Sequence, residues 1–269
     1  MKIKRTAKTL LEGGIPQDLE EFDNIEIQNE PDRNGKNKQV YLNTLRGCPK
    51  KITGKLDIEN APVKSFRGGP KEVDILNISG TDITSLQYMP SIAKTLLMSN
   101  TDIESLKYIT SVNSLTANNS KLKSLKYCPE NITIDIDKCS GITSLADGPK
   151  TAKIYSVSNC QIETLADIDT ITCKWLDIES NPIRNLDGFE RVFASKFISI
   201  SITTYFTGLV LTAKFCKSKL QIIEKENWEN KAYESNEIAR EAFRHLDKSL
   251  FRAKLAMVQA GAKQYAKLR

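Results

Sequence analysis

The chain has 269 residues, 40% of them hydrophobic and 27% charged, with a net charge of +6. That length suits one elongated domain with caps, and no run approaches the length of a membrane span. There is one histidine, and none of the six cysteines forms a C-x-x-C pair, which excludes the usual zinc frameworks.

The N-terminal stretch MKIKRTAKTLLEGGIPQDLEEF is basic but has no long apolar core and no small-residue cleavage site. It reads as an amphipathic capping segment rather than a signal peptide, so a cytoplasmic protein is expected. Ile25 and Ile27 mark a strand. PDRNGKNKQ (31–39) is a polar loop leading to a further strand around Val40–Leu42. Residues 1–44 form the predicted N-terminal cap, with 7 basic and 8 acidic side chains.

From residue 45 to 205 one pattern recurs about every twenty residues. LDIENAPVKSF, LNISGTDITSL, LLMSNTDIESL, LTANNSKLKSL, YSVSNCQIETL and LDIESNPIRNL each read apolar-x-apolar, a polar stretch, then apolar-x-x-apolar. The closing apolar residues are Phe66, Leu86, Leu106, Leu125, Leu145, Leu165 and Leu186. So regular a period means stacked units, each too small to bury its own apolar face. The apolar-x-apolar part is a short strand, and successive strands pair in parallel. The position before the second apolar pair holds Ala61, Thr81, Thr101, Ser120, Cys160 and Asn181, so hydroxyls are expected to satisfy the neighbouring backbone. One extra residue in IDIDKCSGI should bulge that unit's loop. Segments such as RGCPKKI, RGGPKEV and DGPKTA predict extended turns behind the strands. KYITSV and ADIDTI lack the proline and could take a short helical turn. The cysteines of the repeats fall at turns or small buried positions and read as reduced thiols.

FISISITTYF (197–206) begins as a last strand. GLVLTAKFCKSKLQIIE (208–224) suits a helix, or a helix followed by a strand. From Asn236 the stripe Ala239, Phe243, Leu246, Leu250, Ala253, Met257 and Ala260 predicts one amphipathic helix that caps the solenoid. Residues 206–269 carry 13 basic and 7 acidic side chains, so the whole charge excess sits there. Arg240, Arg244, Lys248, Arg252 and Lys254 lie mainly off the stripe. They are either solvated or a basic surface for nucleic acid or an acidic partner.

The unit resembles the leucine-rich repeat, LxxLxLxxNxLxxL, with Val73, Leu76, Ile78, Ile83 and Leu86 at leucine positions. With RGCPKKITGKLDIENAPVKSF, DILNISGTDITSLQYMP and the ending AKLAMVQAGAKQYAKLR, the chain is similar to leucine-rich-repeat-like proteins of large tailed bacteriophages. The resemblance covers roughly residues 40–269 and implies a leucine-rich-repeat-like solenoid with an α-helical tail. It implies no particular activity, and its setting would be the infected host's cytoplasm.

No catalytic constellation is evident. His245 sits beside the tail stripe, and Cys216 is followed by Lys-Ser rather than by the Cys-x-Asp of effector ubiquitin ligases. No phosphate-binding glycine loop or nucleophile motif occurs, so no enzyme, cofactor or metal is expected. The residues flanking the inward strand positions should instead line one exposed sheet face. In order they are Asp57 and Glu59, Asn77 and Ser79, Leu97 and Ser99, Thr116 and Asn118, Asp135 and Asp137, Ser156 and Ser158, Asp177 and Glu179. These columns are polar, partly acidic and contain no Lys or Arg. They form either a solvated sheet face or a recognition face for a host or phage protein, for example a host defence factor. The two rival classes are a virion or assembly component, and a nucleic-acid-associated protein acting through its tail.

Overall fold

The computed structural model describes residues 44–183, together with Gly188, Arg191 and Val192; for the strands at 2–6, 21–22, 24–28, 30–31, 37–38, 193–203, 210–216 and 219–225, and for Ile92, it describes the backbone only. The strands in chain order are β1 (Lys2–Thr6), β2 (Glu21–Phe22), β3 (Asn24–Gln28), β4 (Glu30–Pro31), β5 (Asn37–Lys38), β6 (Lys51–Asp57), β7 (Glu72–Asn77) and β8 (Ile92–Leu97). They continue as β9 (Ser114–Thr116), β10 (Ile132–Asp137), β11 (Ala152–Ser158), β12 (Ile171–Ile183), β13 (Val192–Thr203), β14 (Val210–Cys216) and β15 (Lys219–Lys225).

Seven parallel strands, β6 to β12, coil into a β-solenoid of about six turns. The sheet runs on in both directions, from β1 and β3 at one end to β13, β14 and β15 at the other. Register follows the repeat. Leu56, Leu76, Leu96, Leu115, Ile134, Tyr155 and Leu176 are successive lateral partners. All are at most 1% exposed, as are Ile58, Ile78, Met98, Ile136 and Ile178 two residues on. Phe66, Leu86, Leu106, Leu125, Leu145 and Leu165 close the opposite side of the core and are also buried. Each unit alone leaves these side chains facing water. Stacking covers them at about 1.5–3 kcal/mol per large side chain, which is why the period is so strict.

The wall opposite the sheet is made of tight turns. A Ser or Thr just before each closing apolar residue accepts a hydrogen bond from the backbone N–H two residues on. Thr44, Ser65, Ser85, Ser105, Ser124, Ser144 and Thr164 all do so, at 2.9–3.5 Å. The hydroxyl thereby fixes the chain's reversal. The turn then closes through bonds such as Cys48 N to Leu45 O at 3.1 Å and Gly69 N to Phe66 O at 2.8 Å. The two units without proline use the same closure, through Ile109 N to Leu106 O and Ile168 N to Leu165 O, and neither has the helical turn expected of it.

The hydroxyls of Thr81 and Thr101 donate to Ile78 O (2.7 Å) and Met98 O (2.8 Å), each within its own turn. Asn181 does more. Its Nδ2 donates to Val157 O, Ile178 O and Glu179 O, while its Oδ1 accepts from the backbone of Cys160 and Ile162. The extra residue of the Ile134 unit is absorbed around Gly141, whose Cα packs so near Leu122 O that a Cβ would lie 2.7 Å from it.

The helix, or helix followed by a strand, expected over 208–224 is replaced by two strands at 210–216 and 219–225. β14 and β15 are antiparallel, separated by Lys217 and Ser218, and β14 pairs with β13. The exposed edge of β13 offers unpaired backbone groups, and pairing satisfies them where a helix would not. The expected strand at Val40–Leu42, Leu186, and the helix from Asn236 with Arg240, Arg244, Lys248, Arg252 and Lys254 lie outside the described residues.

Candidate interaction face

Alternation around the buried Leu56, Leu76, Leu96, Leu115, Ile134, Tyr155 and Leu176 puts the residues on either side of them on the outer side of the sheet. Asp57, Asn77, Leu97, Thr116, Asp135, Ser156 and Asp177 are consecutive lateral partners. The second column, from Glu59 and Ser79 through Ser99, Asn118, Asp137 and Ser158 to Glu179, stays in step through turn-to-turn backbone bonds, among them Asn60 N to Ser79 O and Asn159 N to Glu179 O. All fourteen residues singled out from the sequence therefore share one face.

Their roles differ along the axis. Asn77 is only 4% exposed, and its Nδ2 donates to Asp57 Oδ1 and Glu59 Oε2, both at 3.0 Å. Lys55 lies 2.6 Å from Asp57 Oδ2. In the first rungs both carboxylates are thus hydrogen-bonded by Asn77, and that of Asp57 is also ion-paired with Lys55. In the middle, Asn118 N donates to Ser99 Oγ, and Asp137 N donates to Asn118 Oδ1 at 3.0 Å. Asp137 also accepts from Ser158 Oγ and from Asn159 Nδ2 at 2.6 Å. These bonds order the face without using the outward side of Asp135. Partial burial, and then the neighbouring Asp137 carboxylate, push the Asp135 carboxyl above its ordinary range.

A third outward column had no counterpart among the sequence-derived candidates. Lys55, Ile75, Thr95, Ser114, Thr133, Ile154 and Trp175 are lateral partners, and Phe197 continues the register. Ile75, Ile154 and Trp175 are 37%, 39% and 44% exposed. At the late end, Ile154 and Trp175 adjoin Ser156 and Asp177 along their strands, and exposed Lys153 and Lys174 precede them. The face therefore grades from basic through apolar to acidic. The absence of Lys and Arg holds for the two predicted columns, not for the whole face.

Among the described residues, no group of three or more His, Cys, Asp or Glu side chains could hold a metal ion. No helix among them is long and apolar enough to cross a membrane. Burial pushes the thiols of Cys48 and Cys173 up to about 12, and burial followed by the Glu130 charge does the same to Cys128. A thiol so shifted is a poor nucleophile at neutral pH.

No family model, curated protein or solved structure matches this chain.

The arrangement is suited to binding. Exposed Trp is the side chain that most often anchors an interface, above all when ringed by polar groups. The parallel strands hold Trp175, Asp177 and Glu179 at fixed spacing, so little ordering cost remains on association.

Proposed function

We propose that this protein is a non-enzymatic, leucine-rich-repeat-like binding solenoid that associates stoichiometrically with another protein through its strand face. The observation that carries the proposal is the late end of that face. There Ile154 and Trp175 stand exposed beside Asp135, Ser156 and Asp177, on a rigid parallel sheet. A partner with a basic rim and an apolar pocket would complement this surface. The phage resemblance of the repeats gives the reading its setting: an accessory protein that modulates a host or phage protein in the infected cytoplasm.

The test is capture of partners from infected cells by the wild-type protein and by Trp175→Ala and Asp135→Lys/Asp177→Lys variants, identified by mass spectrometry. A partner held by the wild type and lost by both folded variants supports the proposal. A partner retained equally by all three places recognition elsewhere. Recovery of the protein in purified virions at fixed stoichiometry would favour an assembly role instead.

A further inference from the structure

A second surface lies on the turn edge, about half a coil away from the strand face. The residue after each closing apolar position is Arg46, Arg67, Gln87, Lys107 and Lys126 over five successive turns. The next residue is Gly47, Gly68, Tyr88, Tyr108 and Tyr127. Both columns then change together, to Ala146–Asp147 and Ala166–Asp167. The cations begin at Arg46 and the rings at Tyr88, both columns end together after Tyr127, and neither contains a carboxylate over these five turns.

The tyrosines stand where the backbone prefers glycine. Tyr88, Tyr108 and Tyr127 have φ of 66°, 80° and 71°, while Gly47, Gly68 and Gly188 take 97°, 77° and 84° at the same turn position. A bulky residue in this left-handed region is an outlier that costs about 1–2 kcal/mol. Burial accounts for little of that cost, because these residues are 60%, 45% and 53% exposed where the core residues of the same turns are fully buried. Strain of this kind concentrates where a side chain has to be presented. Among the described residues, the salt bridges of this region engage Lys121 with Asp102 and Lys123 with Glu104, and none engages Arg46, Arg67, Lys107 or Lys126. A groove of about 470 Å³ adjoins the patch at Lys107 and Tyr108; Ser85 and Ser105 also line it, as do Asp102 and Glu104, whose carboxylates are paired with Lys121 and Lys123.

We infer that this edge is a docking surface for an acidic polypeptide segment. Aromatic and basic side chains together also suggest single-stranded nucleic acid, but the geometry favours the peptide. Equivalent residues on successive turns are about 4.8 Å apart. A base inserted between two rings needs about 7 Å, twice the van der Waals separation of about 3.5 Å. One approach to the rings is also occupied already, since Lys107 Nζ lies 5.2 Å from the centre of the Tyr108 ring and Lys126 Nζ lies 5.7 Å from that of Tyr127. What remains for a partner is a row of two guanidinium and two ammonium groups, interrupted by the Gln87 amide, with phenol hydroxyls on its last three turns. All of these can donate hydrogen bonds, and carboxylates accept them. The row from Arg46 to Lys126 is about 19 Å long at that rise, which matches about six residues of extended chain.

The turn geometry supplies an unusually clean variant. Tyr88→Gly/Tyr108→Gly/Tyr127→Gly relieves the left-handed strain while deleting the rings, so its thermal midpoint should stay near the wild-type value. Fluorescence anisotropy of the full chain would use a dye-labelled, glutamate-rich peptide, with labelled oligothymidylate in a second arm. Lys107→Glu/Lys126→Glu is the charge variant, and Asp177→Lys/Glu179→Lys on the strand face is the control. Expected are salt-sensitive peptide binding by the wild type and the control, and about a tenfold or greater loss in both turn-edge variants. Four results would overturn the inference. They are no peptide binding by the wild type, tighter binding of oligothymidylate than of peptide, undiminished peptide binding by the folded glycine variant, and loss confined to the strand-face control. The control also separates this surface from the strand-face proposal, since either can fail alone.

Discussion

The early turns around Thr81 and Thr101 and the late turns from Tyr155 to Asn181 meet one packing requirement in two ways. In the early turns, aliphatic side chains of similar size stack on one another, and each hydroxyl closes its own turn. In the late turns, Tyr155 occupies the column otherwise held by Leu and Ile, opposite a glycine, Gly148. Asn181 then bonds the backbone of two turns at once. A repeat can therefore keep its spacing while neighbouring turns trade volume and hydrogen bonds. At this buried turn position, coupling between turns should therefore be stronger where Asn181 crosses the boundary than where Thr81 and Thr101 do not. Four experiments would break or sharpen that contrast.

Removing core volume should cost most, and about equally in both regions. Leu106→Ala and Leu145→Ala each delete a side chain no more than 2% exposed, and each should lower stability by about 2–5 kcal/mol in urea unfolding. Near-neutral behaviour at either position would mean that the turn wall can collapse onto the gap.

The hydrogen-bond contrast is sharper. Asn181→Ala strands carbonyls and N–H groups in two turns and should cost about 2–4 kcal/mol. Thr101→Val removes one bond within a single turn and should cost about 1 kcal/mol. Equal losses would show that the late turns are no more tightly coupled than the early ones.

Third in size is the exchange of volume between Tyr155 and Gly148. A Cβ on Gly148 would collide with the Tyr155 hydroxyl, so Gly148→Ala should cost about 1–3 kcal/mol. That hydroxyl is buried without a hydrogen-bond partner. Tyr155→Phe should therefore be neutral or stabilising by about 1 kcal/mol, and it should rescue much of the Gly148→Ala loss. Strictly additive effects in the double-mutant cycle would refute the trade.

Smallest is the pH response of the strand face. The native Asp135 carboxyl has a raised pKa, so the folded state binds its proton more tightly than the unfolded chain does. Ionisation then costs native stability. That cost is absent below the unfolded value and complete once pH has risen through the native one. Asp135→Asn should gain within about 0.5 kcal/mol at neutral pH, and the gain should vanish as pH falls below the ordinary aspartate range. A gain that persists in acid would assign the effect to something other than charge.

Much of this was legible before any coordinates. The twenty-residue period, the buried leucines and the two polar strand columns follow from spacing alone. Trp175, Ile154 and Ile75 were not legible as a third exposed column. Val73 and Ile75, two residues apart, should share a face under strict alternation, yet Val73 is 1% exposed and Ile75 is 37%. The same break separates Ala152 from Ile154 and Cys173 from Trp175. Register shifts in the pairings of β6, β10 and β12 accompany it, and such an irregularity reverses the phase of the side chains before it.

Sequence by itself determined that the chain coils, because one-unit periodicity leaves apolar rows that only stacking can cover. It also determined which leucines are inward and that the strand face is polar. Only the tertiary structure decided that residues 210–216 and 219–225 extend the sheet, because a strand's preference depends on the edge available to pair with it. Only it decided that Tyr88, Tyr108 and Tyr127 stand in left-handed turns at one turn position, the last two with the preceding lysine against the ring. Those residues lie 19 or 20 positions apart in the chain, and it is the stacking distance between turns, not the sequence, that makes them neighbours.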